Sequence, residues 1–294
     1  MIKKLKEETM NKLWSTKVQS TEMLYYSRLE RFNDENCARW FELLNVKDGM
    51  KVLEVGCAGG HFTNMVKKYF PNCDVWGIDL DTNHINFAKN KCKELGLDVK
   101  YMEADINNLP FEDESFDVIF SHTVVEHLPF ENFITEQYRT LKKGGHLVIM
   151  KVAGGVKDNP YMYLEDEIGK VFDKLEFENR PVVGKYNEEP EQRLGRLHNY
   201  GFKNLGFSYD RFIFYCPDIE ENREKALKQI DLHFDMIKYN AIFNIQSSKN
   251  GEEYAKELMD LLDKQHNTRR QLYLSGQKVY DYVSSNILTM WANK

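Results

Sequence analysis

Lys51-Val52-Leu53-Glu54-Val55-Gly56-Cys57-Ala58-Gly59-Gly60-His61-Phe62 decides the fold of this chain. The first five residues read as a short buried strand, and the glycine-rich turn behind them opens into a helix that ends near Phe70-Pro71. Such a turn lets the backbone come close to a ligand and aims free N–H groups at it. Alone, it suits a dinucleotide, a nucleoside or merely a tight turn. Its neighbours must decide.

Downstream the alternation repeats. Residues 74–78 read as a strand, 82–95 as a helix closed by Gly96, 99–103 and 116–120 as strands, 130–141 as a helix and 146–152 as a strand. Parallel strands need crossover connections, so this rhythm predicts an α/β core: a parallel sheet with helices on both faces. Upstream, Asn33 is placed to cap a helix whose Cys37, Trp40, Phe41 and Leu44 share a face, before a turn at Asp48-Gly49. After Val152 the rhythm breaks. Residues 161–177 read as an extra amphipathic helix, 191–200 as a helix stopped by Gly201, 207–215 as a strand, 218–282 as long helices and 287–292 as a last strand.

In open α/β sheets ligands bind beyond the carboxyl ends of the strands, and those ends carry the candidate site. Asp79, in Gly77-Ile78-Asp79-Leu80, is placed to accept from two ribose hydroxyls. Asp105, in Glu103-Ala104-Asp105-Ile106, is placed to accept from an adenine amino group while Ile106 packs on the ring; a dinucleotide enzyme has less need of this acid. Residues 116–122 end in Ser121 and His122, and 141–147 form a helix end, a turn at Gly144-Gly145 and a strand start. Residues 52–60, 77–80, 104–106, 116–122 and 141–147, in this order and spacing, resemble the successive motifs of class I S-adenosylmethionine-dependent methyltransferases.

The resemblance implies a Rossmann-like sheet, S-adenosyl-L-methionine as cofactor and S-adenosyl-L-homocysteine as product. By it Glu54, Gly56, Cys57 and Gly60 hold the methionine part, Asp79 and Leu80 the ribose side, Asp105 and Ile106 the adenine, and Ser121 forms the floor. One position departs from the family's turn: a usual glycine is Ala58 here, which binding tolerates if the turn needs no positive φ at that point. Residues 269–294 are similar to the tails of small-molecule methyltransferases related to the quinone-biosynthesis enzymes. The expected division is N-terminal helices (1–48), a cofactor-binding core (49–153), a helical insertion (154–186), a core helix and strand (187–216), a second helical insertion (217–286) and the last core strand (287–294). Both insertions are expected to form a mobile lid over a small methyl acceptor.

Composition narrows the partners. With 40 basic and 46 acidic side chains in 294 residues the formal net charge is -6, so no global positive field draws the chain to phosphate backbones. Ser121-His122-Thr123-Val124 also stands where nucleic-acid methyltransferases carry an Asn/Asp-Pro-Pro-Tyr/Phe motif, and nucleic acid is not expected as a partner. Cys37, Cys57, Cys73, Cys92 and Cys216 show no CxxC pair or ligand spacing, which reads as reduced thiols and no metal. The charged start has no apolar run behind it, so the expectation is a cytoplasmic protein without a membrane segment, as a monomer or homodimer.

Methyl transfer from a sulfonium needs placement more than covalent help, so a base is optional. His127, in Glu126-His127-Leu128-Pro129, is the candidate proton acceptor, against the plainer reading of a hydrogen-bonded structural histidine. Tyr26, His122 and Tyr161 are candidates for touching the acceptor, with Tyr25 and Tyr163 beside them, although aromatics of this kind mostly serve packing. Two other functions compete. An NAD-dependent oxidoreductase would share the turn and Asp79 but needs a second nucleotide-binding half that the sequence does not offer. A non-catalytic cofactor-binding module would retain the methyltransferase fold without turnover.

Overall fold

The computed structural model describes residues 14–158, 163–178 and 183–294. In chain order the elements are α1 (Trp14–Lys17), α2 (Thr21–Arg31), α3 (Cys37–Leu44), β1 (Lys51–Val55), α4 (His61–Tyr69), β2 (Asp74–Asp79), α5 (Thr82–Glu94), β3 (Lys100–Glu103) and β4 (Phe116–His122). Then follow α6 (Phe130–Thr140), β5 (Leu141–Asp158), α7 (Glu165–Asp173), α8 (Pro190–Tyr200), β6 (Lys203–Tyr215), α9 (Arg223–Ser247), α10 (Gly251–Leu274) and β7 (Tyr282–Asn293).

The strands form one sheet in the order β3-β2-β1-β4-β5-β7-β6. The first five are parallel, β1 lying between β2 and β4, with β3 and β5 outside them. The central strands β1 and β4 are buried along almost their whole length, which is why they read as apolar runs rather than as alternating ones. β7 runs against β5: Lys294 N–H reaches Gly145 O at 3.1 Å and Gly144 N–H reaches Lys294 O at 2.8 Å, while Ser284 lies beside Gly155. The sheet is therefore mixed.

Several expected boundaries shift for local reasons. β5 does not stop at Val152 but runs on to Asp158 through Gly154, at φ 92°, and Gly155; a Cβ on Gly155 would lie 2.3 Å from the Ser284 carbonyl oxygen, so the close pairing with β7 needs a glycine there. β7 in turn begins at Tyr282 rather than Ile287. The helix expected over 161–177 is observed as α7, residues 161 and 162 lying outside the described residues. Asn33 is not the cap of α3: its Oδ1 accepts from the Glu35 and Asn36 N–H groups at 3.0 and 3.3 Å, forming a turn, and Asn36 takes the cap position.

The chain divides into two compact units. The sheet unit comprises Phe32–Ala153, Val182–Asp210 and Asn286–Lys294. Leu53, Ile78, Ile119, Phe133, Leu147 and Leu288 are among its fully buried core residues. Phe32 and α3 belong to this unit, with Phe32 stacked on Phe62 and Trp40 fully buried, so the expected N-terminal block of helices is split at Arg31.

The helical unit comprises the chain up to Arg31 together with Gly154–Pro181 and Arg211–Ser285. The two insertions and α2 thus fold as one body. Ile168 and Val171 of α7 pack with Ala241 of α9 and with Leu258 and Leu262 of α10. A buried ion network closes its far end, where Arg269 bonds Asp218 at 2.8 Å and Asp281 at 2.7 Å, and the Tyr215 hydroxyl donates to Asp281.

Within the sheet unit, the segment before α8 is tied to the ends of β4 and β5. Tyr186 N–H donates to Glu126 O at 3.0 Å, and Lys151 Nζ donates to Asn187 Oδ1 at 2.5 Å. Arg193, 1% exposed, donates to Tyr186 O at 3.1 Å and lies 3.6 Å from Glu188 Oε2, and burial lowers both the Arg193 and Lys151 pKa values. Removing one member of such a cluster leaves the others buried and uncompensated. Arg193→Ala is expected to cost about 3 kcal/mol, read as a lower urea midpoint, with faster amide exchange at residues 184–187.

Candidate cofactor-binding site

The parallel register brings the strand ends to one edge. Val55 stands opposite Ile78, Glu54 opposite Phe120 and Asp79 opposite Glu103, so Gly56, Asp79, Asp105 and Ser121 follow at that edge. Backbone bonds continue the pairing past the strands, from Cys57 N–H to Ile78 O at 2.9 Å and from Ala104 N–H to Asp79 O at 3.0 Å.

Asp79 is the centre of this edge. Its Oδ2 accepts from Ala58 N–H and its Oδ1 from Asp81 N–H, both at 2.9 Å. Burial on its own would raise the Asp79 pKa, but the neighbouring His84 and these two N–H groups outweigh it and hold the carboxyl below its ordinary value. The site therefore presents a charged acceptor. Leu80 beside it is 57% exposed, a large apolar side chain left open at a ligand edge.

Sterics shape the turn as firmly as hydrogen bonds do. Gly56 has φ 70° and a Cβ there would lie 2.4 Å from Val124 Cγ2; Gly60 has φ 76° and its Cβ would lie 2.4 Å from the Tyr101 hydroxyl. Both positions require glycine. The Tyr101 hydroxyl stands 3.0 Å from Gly60 O and 2.9 Å from Asn64 Oδ1, one donor shared between two acceptors. Ala58 adopts φ 46°, so the turn does use a left-handed residue where the sequence places a methyl group.

Glu54 is fully buried and accepts from the Thr63 hydroxyl. Cys57 is also fully buried, against the glycine turn and the Gly77 backbone. Ser121 Oγ is fully buried and has no hydrogen-bond partner among the described residues. An orphaned hydroxyl, a turn that requires glycine at Gly56 and Gly60 and an exposed leucine beside a charged carboxylate fit a nucleoside-type cofactor. Asp105 is exposed and its Oδ1 accepts from Asn107 N–H and Nδ2, while Ile106 is half-buried against the core.

The candidates on the acceptor side are dispersed. His122 is buried, packed edge-on against Phe32 and 3.0 Å from the Thr123 hydroxyl. His127 Nδ1 accepts from Gly184 N–H at 3.2 Å, which assigns the proton of the neutral ring to Nε2, and burial pushes its pKa down to about 4. Tyr26 belongs to the helical unit, stacked on Tyr239 at 5.0 Å. Tyr161 lies outside the described residues. Among the described residues no group of three His, Cys, Asp or Glu is placed to hold a metal, and no helix is long and apolar enough to cross a membrane.

Residues 53–149 match the family model of a methyltransferase domain. They form a class I methyltransferase domain. Phosphoethanolamine N-methyltransferase 1 of Arabidopsis thaliana is 35% identical over 117 residues, 39% of this chain and 23% of that protein. Sterol 24-C-methyltransferase of Candida albicans is 28% identical over 170 residues, 57% of this chain and 42% of that protein. The chain spans less than half the length of the curated relatives it matches. The structure of Haemonchus contortus phosphoethanolamine N-methyltransferase 2 in complex with S-adenosyl-L-methionine superposes with a TM-score of 0.54 at 19% identity, covering 96% of this chain and 59% of that one, a likeness of fold.

Three residues of the methyltransferase domain's site escaped the sequence reading: Tyr101, Val124 and His84. Tyr101 and Val124 fill the space beside Gly60 and Gly56, and only the strand pairing reveals that. His84, the third residue of α5, stands 3.3 Å from Asp79 Oδ1.

Two outcomes follow from this geometry. Holding alanine in the left-handed region costs roughly 1–2 kcal/mol, and glycine gives back part of that gain as chain entropy. Ala58→Gly should therefore stabilise the domain by about 0.5–1 kcal/mol in urea unfolding without weakening cofactor binding. His127, with its pKa lowered to about 4 in the fold against about 6.5 unfolded, is protonated first in the unfolded chain. Its contribution is complete above pH 6.5 and is lost as pH falls toward 4, so His127→Asn, which keeps an acceptor for Gly184, should flatten the loss of stability over that window by about 2 kcal/mol.

Proposed function

We propose that the chain binds S-adenosyl-L-methionine at this edge and transfers its methyl group to a small-molecule acceptor, leaving S-adenosyl-L-homocysteine. The observation that carries the reading is Asp79, a carboxylate kept charged at the end of β2 and bonded to the turn whose glycines admit a close ligand. The cofactor, when bound, supplies a methyl group on a positively charged sulfur that is electrophilic without further activation. Asp79 accepts from the ribose hydroxyls with Leu80 beside it on the ribose side, Ile106 offers apolar surface to the purine, and Asp105 accepts from its amino group. Glu54, Gly56, Cys57 and Gly60 hold the methionine part, and Ser121 forms the floor.

The curated relatives named above act on a nitrogen and on a carbon of small molecules, which supports a small-molecule acceptor and leaves its atom open. His127 is neutral at physiological pH and its Nδ1 is engaged with Gly184 N–H, which favours a structural role over a proton acceptor. Placement rather than proton removal then carries the reaction. The strand order, with an antiparallel β7 between β5 and β6, departs from the 3-2-1-4-5-6 order of dinucleotide-binding sheets and weighs against an NAD-dependent oxidoreductase. Five free cysteines support a cytoplasmic protein, and the net charge of -6 supports one without a nucleic-acid partner, acting as monomer or homodimer.

Calorimetry with S-adenosylhomocysteine tests the assignment. Asp79→Ala should weaken binding by about 1.5–3 kcal/mol, the range for hydrogen bonds to a charged acceptor, and S-adenosylhomocysteine should raise the wild-type melting temperature more than NAD at equal concentration. Unchanged affinity in a folded Asp79→Ala protein, or a larger shift with NAD, overturns the reading.

A further inference from the structure

His84 is 2% exposed, one turn into α5 behind the ribose-side edge. Its Nδ1 lies 3.3 Å from Asp79 Oδ1 and its Nε2 3.9 Å from Asp81 Oδ2, and neither ring nitrogen completes a hydrogen bond among the described residues. On the same helix Ile85, Ala88 and Cys92 are buried in an apolar cluster. A leucine or methionine would fill such a place without the cost of burying two ring nitrogens. What the imidazole gains there is its position between two carboxylates.

A carboxylate offers about four acceptor positions. Two on Asp79 are taken by the Ala58 and Asp81 N–H groups, which leaves two for the two ribose hydroxyls. His84 Nδ1 lies 3.3 Å from Oδ1 without completing a hydrogen bond, so the imidazole stands against the carboxylate while those two positions stay open. Asp81 is held in turn as the cap of α5, its Oδ1 accepting from Asn83 N–H at 2.9 Å, so the imidazole is wedged between two anchored acids.

We propose that His84 is a positioning residue for cofactor binding: it holds the Asp79 carboxylate turned outward so that its remaining lone pairs meet the ribose. The inference rests on the reading of Asp79 as the ribose acceptor. It separates affinity for the nucleoside from the stability of the fold, because His84 acts on the ligand only through Asp79.

A double-mutant cycle read by calorimetry with S-adenosylhomocysteine tests it. His84→Leu should weaken binding about five- to tenfold, within the range for coupling between neighbouring residues, whereas His84→Gln, which keeps a polar group beside Asp79, should stay within about twofold. In an Asp79→Asn background the His84→Leu effect should vanish. An unchanged affinity for His84→Leu, or an equal loss in both backgrounds, overturns the positioning role. If Asp79→Asn itself binds as tightly as the wild type, the ribose assignment has failed instead, and the two failures are distinct. Should the leucine variant not fold, nitrogen-15 spectra of the wild-type imidazole decide: S-adenosylhomocysteine should move the His84 ring resonances, and resonances that stay fixed overturn the inference.

Discussion

The hydrogen bond from Ala58 N–H to the Asp79 carboxylate fastens the glycine turn to the end of β2, and the candidate site depends on it. The turn enters after β1 and must reverse toward α4 within five residues, Gly56 to Gly60. Cys57 N–H takes the last pairing position on β2, at Ile78 O, and Ala58 N–H then has no strand carbonyl opposite it. The Asp79 side chain fills that gap, and it draws Ala58 into the left-handed region at φ 46°. A charge-assisted bond of about 1.5–3 kcal/mol outweighs roughly 1–2 kcal/mol of backbone strain. One carboxylate thereby shapes the turn from within while remaining charged toward a ligand.

Below the turn the complementary constraint is a ring. Tyr101 of β3 lies under both Gly60 and Gly77, where added Cβ atoms would come within 2.4 Å of its hydroxyl and 2.6 Å of its Cε1. Burial raises its pKa well above the ordinary tyrosine value, so the hydroxyl remains a donor to the turn. Asp79 pulls the turn down at its start and Tyr101 props it at its end. The turn between them is fixed by that packing.

Much of this was legible in the sequence, and the reasons are specific. Buried parallel strands must be short apolar runs, so Lys51–Val55 and Phe116–His122 declared themselves, and the acids that follow such strands fall at the ligand edge by topology alone. What escaped depends on partners distant in sequence. Gly154 and Gly155 read as a break because the strand through them is held by pairing with β7, some 130 residues later in the chain. Tyr101 and His84 drew no notice in the sequence because their places beside the turn and Asp79 arise only when β3 pairs with β2 and α5 packs there. The φ of Ala58 was hidden for the same reason, and the union of α2 with both insertions has no local signature at all.

The two histidines that follow β4 sharpen how such a site works. His122 is enclosed by aromatic packing and His127 is bonded to the backbone of Gly184, so neither resembles a base waiting for a substrate proton. The charge that the geometry holds, on Asp79, stands instead at the end of β2 against the glycine turn. That distribution suits a reaction whose electrophile arrives already activated, in which the protein's work is to orient one ligand rigidly and exclude alternatives. It also explains why the buried cluster of Lys151, Arg193 and Glu188 is spent on fixing the backbone between Gly184 and Glu189 beside the β4 end. A wall that does not move is worth more there than an additional titrating group, since misplacement of an acceptor by even 1 Å can cost about a hundredfold in rate.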